Sequence, residues 1–409
     1  MSPLTLPKAR PVNKSIVEEV IEFEDAADPA DAFALPDLMP RVPRHPLRFI
    51  SWVVRCLFGI VTLIVLLAVV AAIPIVNFLA LGYLFEAEGR VARTGKLRHA
   101  IPLLPLAPRI GSVTLGISFW LTIVTLVATS ASQAAIIDPG GPAAMRSRIF
   151  TMIVSAFTIV HLCLALARGG MLSCFFRPIK NLRWLLAERK RGPLLSRMDD
   201  KVELYLRGMR LGHHFWLGLR GFFGALIWLF VPTLLLSVAS QTKAGPVLVS
   251  ILGGILLTVV FAWLPFLQAR FSEQQRFRAM FELRAVRELF RRAPIVWLLA
   301  VIGVFVLALP LHLAKVELPP QDAMWLVTLI FIVMIYPARI LTGWAYYRAS
   351  NKTRRAWFPL PMTCRMIMLP LLGVYSFLIF FSQAFGEHGK LALFEHHAFL
   401  LPAPFLLGS

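Results

Sequence analysis

Long apolar runs dominate this 409-residue chain and limit the folds that it can adopt. After a first run that begins near Phe49, seven more are long enough to cross about 30 Å of hydrocarbon as helices, at about 1.5 Å per residue. These seven runs cover residues 111–137, 149–167, 221–240, 246–268, 295–314, 324–347 and 368–385. With 58% hydrophobic and 16% charged residues, the composition lies outside the soluble globular range. The sequence therefore predicts an all-α, polytopic transmembrane helical bundle.

Residues 1–48 differ from everything that follows them. They contain eight prolines and no sustained apolar period, and their six basic residues are outnumbered by eight acidic ones. This composition predicts a disordered cytoplasmic tail, followed by an integral membrane domain over residues 49–409. The net charge of +20 therefore belongs to the membrane part, where Lys and Arg gather in cytoplasmic loops. We accordingly expect no nucleic-acid partner.

The end of the first apolar run is unusually polar. Residues 73–96 read IPIVNFLALGYLFEAEGRVARTGK, and Pro74 and Asn77 favour a break in the helix. If the chain turns back here, 34 basic residues close to the spans lie inside and 5 lie outside. A single crossing with the tail outside places 30 of these basic residues inside and 9 outside, and it requires export of the acidic tail. Because orientation follows basic residues near the spans, we predict an N-terminal membrane hairpin plus seven spans in the bacterial inner (plasma) membrane, with a cytoplasmic N-terminus.

The predicted return arm of this hairpin, residues 78–93, carries Glu86 towards the apolar layer. Arg90 lies four residues later on the same helical face and can pair with it. Arg339 is a second Arg close to a membrane core, so Asn77, Glu86, Arg90 and Arg339 form a candidate polar membrane site. The alternative is that these groups lie at the interface and anchor the helix by snorkelling.

A second polar pattern lies on the run 111–137. Its hydroxyl residues recur at helical spacing on one face and favour packing between helices over a polar pathway. They are Thr114, Ser118, Thr122, Thr125, Thr129 and Ser132.

The two longest basic connections predict interfacial amphipathic helices. In residues 270–292, four arginines lie along one stripe and are candidate contacts for anionic lipid head groups. They are Arg276, Arg284, Arg287 and Arg291. Residues 200–209 also show an amphipathic pattern.

Catalytic and metal-binding motifs are not apparent in the sequence, so we expect neither enzymatic activity nor a cofactor or metal. Three functional hypotheses follow. The first is a non-enzymatic membrane protein whose basic cytoplasmic face contacts anionic lipids or unknown protein partners. The second is a transporter or channel for a small solute, and the third is a membrane-embedded lipid enzyme.

Two stretches carry a resemblance to a known family. They are GYLFEAEGRVARTGKLRHAIPLLP, after the Pro-broken helix, and ARFSEQQRFRAMFELRAVRELFRRAPIVWLLA. Together they resemble an uncharacterised family of prokaryotic polytopic membrane proteins, a domain of unknown function. The matching positions are Pro74, Gly82, Tyr83, Arg90, Pro102, Phe281, Arg284 and Pro294. The resemblance implies a fold and no activity.

Overall fold

Every regular element described in the computed structural model is helical. The structure describes residues 46–104, 106–189, 207–240, 244–313, 324–385, 393–394, 396 and 399–402. The α-helices in these ranges are α1 (Pro46–Ala72), α2 (Asn77–Thr94), α3 (Ala107–Ile137), α4 (Pro142–Ala167), α5 (Leu172–Phe175), α6 (Pro178–Arg189), α7 (Leu211–Leu236), α8 (Ala244–Gln274), α9 (Leu283–Arg292), α10 (Pro294–Leu313), α11 (Met324–Ser350) and α12 (Pro359–Phe385). The predicted all-α class is therefore confirmed.

Eight helices of the described chain are long and apolar enough to cross a membrane: α1, α3, α4, α7, α8, α10, α11 and α12. Their exposed side chains are largely apolar, as on α1, where Val54, Leu57, Val61 and Val65 recur at helical spacing. Apolar residues that face outward at this spacing are suited to lipid and not to water. The chain therefore has the form of a multi-pass integral membrane protein.

Several helices extend beyond the apolar runs from which they were predicted. α4 begins at Pro142 and not at Ile149, α7 begins at Leu211 and not at Gly221, and α12 begins at Pro359 and not at Met368. Hydrophobicity marks only the part of a helix that suits hydrocarbon, whereas backbone hydrogen bonds continue into the polar boundary. The predicted tail (1–48) lies outside the described residues apart from Pro46, Leu47 and Arg48, which belong to α1.

The contacts divide the chain into two units. The first contains the described residues within 1–52 and 112–209, and its core forms around Phe175 at the end of α5. The Phe175 carbonyl accepts hydrogen bonds from Trp120 Nε1 and His161 Nε2, each at 2.9 Å. Asn181 Nδ2 donates to the Cys174 carbonyl at 2.8 Å and Arg168 donates to Asn181 Oδ1 at 3.0 Å. His161 is therefore a hydrogen-bonded packing residue.

The second unit contains the described residues within 53–111 and 210–409 and holds the larger core. α2 packs against α7, α8 and α11. Its residues from Ala80 to Gly89 are all buried. A helix that is buried on every side belongs to the centre of a bundle. The short α2, which does not qualify as a span, is thus the central helix of this unit.

Part of the C-terminal segment also belongs to the core of the second unit. Leu393, Phe399 and Leu400 are buried, and the ring of Phe399 stacks on Phe261 with centroids 5.2 Å apart. His396 Nε2 lies 2.9 Å from Thr233 Oγ1 on α7. Gln268 Nε2 on α8 donates to the Phe399 carbonyl at 2.7 Å. These contacts attach the segment to α7 and α8.

Small residues allow α2 to approach its neighbours at backbone distance. A Cβ added at Gly82 would overlap the His214 carbonyl of α7, and one at Gly89 would overlap the Ser272 carbonyl of α8. A Cβ added at Gly218 of α7 would likewise overlap the Phe78 carbonyl of α2. Small residues that bring helix backbones together are typical of packing in membranes.

We predict that Gly82→Ala lowers the free energy of unfolding by about 1–3 kcal/mol, because the added methyl group forces α2 and α7 apart. Thermal unfolding of the purified chain in detergent measures the effect. Gly373→Ala is the matched control, since a Cβ there meets nothing within 4 Å. Equal stability of the two variants would contradict close packing at Gly82.

Candidate functional site

Two carboxylates of α2 organise the polar interior of the second unit. Glu88 is fully buried and Glu86 is 3% exposed. They lie two residues apart, so they point to different sides of the helix and contact different partners. Each therefore defines its own cluster.

Glu88 lies in a buried cluster shared by α2, α8 and α11. Its Oε1 accepts a hydrogen bond from Thr342 at 2.6 Å, and its Oε2 accepts one from Ser272 at 3.1 Å. Arg339 Nη1 lies 3.4 Å from Oε2 and donates to Gln268 Oε1 at 2.7 Å. The Arg339 guanidinium also lies over the ring of Phe85, 4.7 Å from its centroid. Both carboxylate oxygens are thus bonded to internal donors.

Glu88 and Arg339 form a buried ion pair that is supported by additional hydrogen bonds. Removing two charges from water costs several kcal/mol per ion, and good geometry with further hydrogen bonds is needed to offset that cost. Ser272, Thr342 and Gln268 supply those hydrogen bonds. Because the partners come from α8 and α11, the cluster fixes α2 against both helices.

Glu86 lies in a more open cluster at the boundary of the bundle. Arg90 Nε donates to its Oε1 at 2.9 Å, and an Arg93 guanidinium nitrogen lies 3.5 Å from the same oxygen. Gln275 Nε2 donates to Oε2 at 2.7 Å, and His213 Nε2 lies 3.5 Å from it. A carboxylate held by two arginines is a stable local charge with an excess of cations around it.

A cavity of about 340 Å³ lies beside this second cluster. His213 and Gln275 belong both to the cavity wall and to the contacts of Glu86. The lining residues are Gly212, His213, Trp216, Leu217, Arg220 and Gln275. The wall thus combines an aromatic ring with cationic and amide groups.

The structure brings together only part of the predicted polar site. Glu86 and Arg90 form the expected pair, with Arg90 one helical turn later. Arg339 instead contacts Glu88, because Glu86 and Glu88 point to different sides of α2. Asn77 begins α2, nine residues before Glu86, which places it about 13 Å away along the helix. The four residues therefore do not form one site.

Sequence reasoning missed the partners that come from other helices. Ser272, Thr342, Gln275 and His213 reach the carboxylates from α8, α11, the residue after α8 and α7. Gln268 of α8 instead accepts a hydrogen bond from Arg339. Local spacing contains no signal for such contacts. The one available signal was the presence of two carboxylates in an apolar stretch, which required partners from elsewhere.

The arginine stripe of residues 270–292 is not on one continuous helix, contrary to the prediction. α8 continues to Gln274, Gln275 has a left-handed φ of 56°, and a 3-10 turn over Phe277–Phe281 precedes α9. The left-handed residue ends α8, so Arg276 lies before α9 and off its face. Residues 200–206 of the other predicted amphipathic segment lie outside the described residues.

α9 itself has the predicted amphipathic character. Val286, Leu289 and Phe290 are buried, whereas Arg284, Arg287 and Arg291 are exposed. Arg276 is also exposed. We call Arg276, Arg284, Arg287 and Arg291 the α9 arginine surface.

An exposed ion pair holds α9 to the segment that follows α11. Arg355 donates to both carboxylate oxygens of Glu288, at 2.8 and 2.9 Å. The hydrogen bond and charge of Arg355 lower the pKa of Glu288 below its ordinary value. Arg291 also contributes its carbonyl oxygen, which accepts a hydrogen bond from the Ala356 amide at 2.8 Å. Both contacts attach the C-terminal half of α9 to residues 355–356.

The hydroxyl face of α3 does not form a polar site in the described residues. Thr122, Thr125, Thr129 and Ser132 each donate to a carbonyl three or four residues earlier in the same helix. All six hydroxyl residues of the predicted face are exposed. Bonds to the helix's own carbonyls satisfy hydroxyl groups in an apolar environment without a partner helix.

Comparison with known proteins identifies no relative of this chain. Family models, curated proteins and solved structures were each searched, and nothing matches this chain.

We predict that Arg339→Met lowers the free energy of unfolding by about 3–5 kcal/mol, because it leaves the Glu88 carboxylate buried without its cation. Glu88→Gln combined with Arg339→Met should recover part of this loss, since no charge then stays unpaired. Thermal unfolding in detergent of the two single variants and the double variant measures the coupling. Strict additivity would contradict a buried pair.

The exposed pair Glu288 and Arg355 provides the matched control for this cycle. Removing either partner should change the stability little, since solvent screens the pair and salt weakens it further.

Proposed function

We propose that this chain is a non-enzymatic multi-pass membrane protein whose cytoplasmic face binds anionic lipid head groups through the α9 arginine surface. One observation carries the proposal: α9 buries Val286, Leu289 and Phe290 against the bundle and leaves three of its arginines exposed. The three are Arg284, Arg287 and Arg291. An amphipathic helix with arginines on its polar face is typical of the interface between membrane and water.

The position of α9 in the chain supports an interfacial location. It connects the end of α8 to the start of α10, two helices that are apolar enough to span the membrane. A helix between two spans lies close to the head groups, where each Arg contributes about 1 kcal/mol of attraction to an anionic surface. The α9 arginine surface therefore favours anionic lipids around the protein.

The orientation within the membrane is also part of the proposal. We infer that α1 enters the membrane from the cytoplasm, that residues 73–76 form the turn and that α2 returns to the same side. The break is supported by Ile75, which has a left-handed φ of 68° between α1 and α2. The hairpin brings the basic connections together on the cytoplasmic side, as positive-inside orientation requires.

Contacts with α11 support the return path of α2. Near the start of α11, Thr328 donates to the Ala68 carbonyl of α1 at 2.7 Å. Further along α11, Arg339 contacts Glu88 of α2, and Tyr347 lies against Gly95 just after α2. α1 therefore ends near the start of α11, and α2 runs towards its end.

The resemblance to an uncharacterised family of prokaryotic membrane proteins stays part of this proposal. Gly82 and Arg90, two of the residues on which the resemblance rests, make defined contacts on α2. Gly82 allows contact with α7, and Arg90 pairs with Glu86.

We expect replacement of all four arginines of the α9 arginine surface by Gln to reduce the enrichment of anionic lipid around the protein. The reason is the loss of four favourable charges at the head-group level. Spin-labelled phosphatidylglycerol and phosphatidylcholine in proteoliposomes report the relative association of each lipid with the full-length chain. In the four-Gln variant, the preference for phosphatidylglycerol over phosphatidylcholine should fall. In the wild type, high salt should reduce the same preference.

The four-Lys variant at the same positions is the matched control, since it keeps the charge. It should retain most of the preference. Undiminished preference in the four-Gln variant would contradict the proposed function.

The hairpin predicts that Lys96→Cys, at an exposed position just after α2, reacts only from the cytoplasmic side. A membrane-impermeant maleimide should leave it unlabelled in intact cells and label it in inverted vesicles, with the four native cysteines replaced. Asp138→Cys, between α3 and α4, should show the opposite pattern. Labelling of Lys96→Cys in intact cells would exclude the hairpin.

A further inference from the structure

The cavity beside Glu86 has the features of a binding site that the α9 arginine surface does not include. All of its lining residues come from the start of α7 and from Gln275. On α7, Gly212, Trp216 and Arg220 recur every four residues and therefore share one face of the helix. The cavity thus lies where α7 begins.

Arg220 is the unusual member of this wall. It is exposed and is the tenth residue of α7, about 13 Å along a helix that is apolar enough to span the membrane. Long side chains on helices point towards the N-terminus, and a lipid-facing Arg directs its charge to the nearest interface. Both effects direct the guanidinium of Arg220 towards the start of α7, which is consistent with its place in the cavity wall.

The charge around the cavity favours an anion. Arg220 lines the cavity. Arg90 and Arg93 both contact Glu86, which lies beside the cavity. Glu86 offsets only one of these three positive charges. The net charge of these four side chains is therefore positive, without counting His213.

An apolar stripe continues from the cavity along the same face of α7. Phe223 is 49% exposed, Ile227 54% and Val231 55%, and Leu234 is exposed as well. With Trp216, which is 57% exposed, these residues extend the face that starts at Gly212. A cationic cavity followed by an apolar stripe matches a molecule with an anionic head and a hydrocarbon tail.

We propose that this cavity binds the phosphate head group of one anionic phospholipid of the cytoplasmic leaflet, with an acyl chain along the α7 stripe. Arg220 supplies the charge for the phosphate, Gln275 and His213 supply polar contacts, and Trp216 covers the glycerol region. The site rests on the proposed orientation, in which the start of α7 is cytoplasmic, but does not use the α9 arginine surface.

Native mass spectrometry of the full-length chain in detergent tests the site with phosphatidylglycerol as the probe. We expect one tightly bound phosphatidylglycerol, and weaker binding of zwitterionic phosphatidylcholine. Arg220→Gln should reduce the affinity about fivefold, the effect of one interfacial Arg. Arg220→Lys should keep most of the affinity, and unchanged thermal unfolding of both variants shows that the fold is intact.

Arg278→Gln is the matched control, because Arg278 is exposed but does not line the cavity. It should bind like the wild type. Millimolar inorganic phosphate should fail to displace the lipid, since it cannot use the apolar stripe. Equal binding by wild type and Arg220→Gln, or displacement by inorganic phosphate, would overturn the proposed lipid site.

The four-Gln variant of the α9 arginine surface separates this site from the proposed function. If the site is correct, that variant keeps the single tight lipid and loses only the broader preference in proteoliposomes. If that preference persists while Arg220→Gln binds the lipid about fivefold more weakly, the proposed function fails and the cavity site stands.

Discussion

The burial of the Glu88 carboxylate is the constraint on which the second unit of the structure depends. Glu88 is fully buried, and an ionised carboxylate in such a position needs a cation and hydrogen-bond donors close to it. α11 supplies Arg339 and Thr342, and α8 supplies Ser272. The position of α2 in the bundle is therefore determined by polar contacts that have few alternatives in an apolar interior.

The same cluster reaches the far end of the chain. Gln268 accepts a hydrogen bond from Arg339 with its side-chain oxygen and donates one to the Phe399 carbonyl with its side-chain nitrogen. Through this residue, the ion pair of α2 and α11 is connected to the buried C-terminal segment. The polar interior thus links helices that are distant in sequence. The oxygen and the nitrogen of the Gln268 side-chain amide are therefore both hydrogen-bonded, and these two bonds determine the orientation of the amide.

The features that the sequence predicted well are those that depend on local pattern. Apolar length identified the long helices, the Pro74 and Asn77 region identified the break before α2, and the spacing of Glu86 and Arg90 identified their pair. The partners of Glu88 could not be predicted, because they come from α8 and α11, about 180 and 250 residues later. The continuous arginine helix was wrong for a related reason. Helix propensity favours Gln275 in a helix, yet its backbone is left-handed where its side chain bonds to Glu86.

The central claim is that α2 returns to the end of the bundle where α11 finishes. The most direct measurement is the distance between spin labels at Lys96→Cys and Lys352→Cys, with the four native cysteines replaced, by double electron–electron resonance in lipid. Because Gly95 lies against Tyr347, the account predicts a distance below about 25 Å, set by two labels at one end of adjacent helices. The 27 residues of α11 span about 40 Å, so a distance near 40 Å would place the end of α2 at the opposite end and contradict the account.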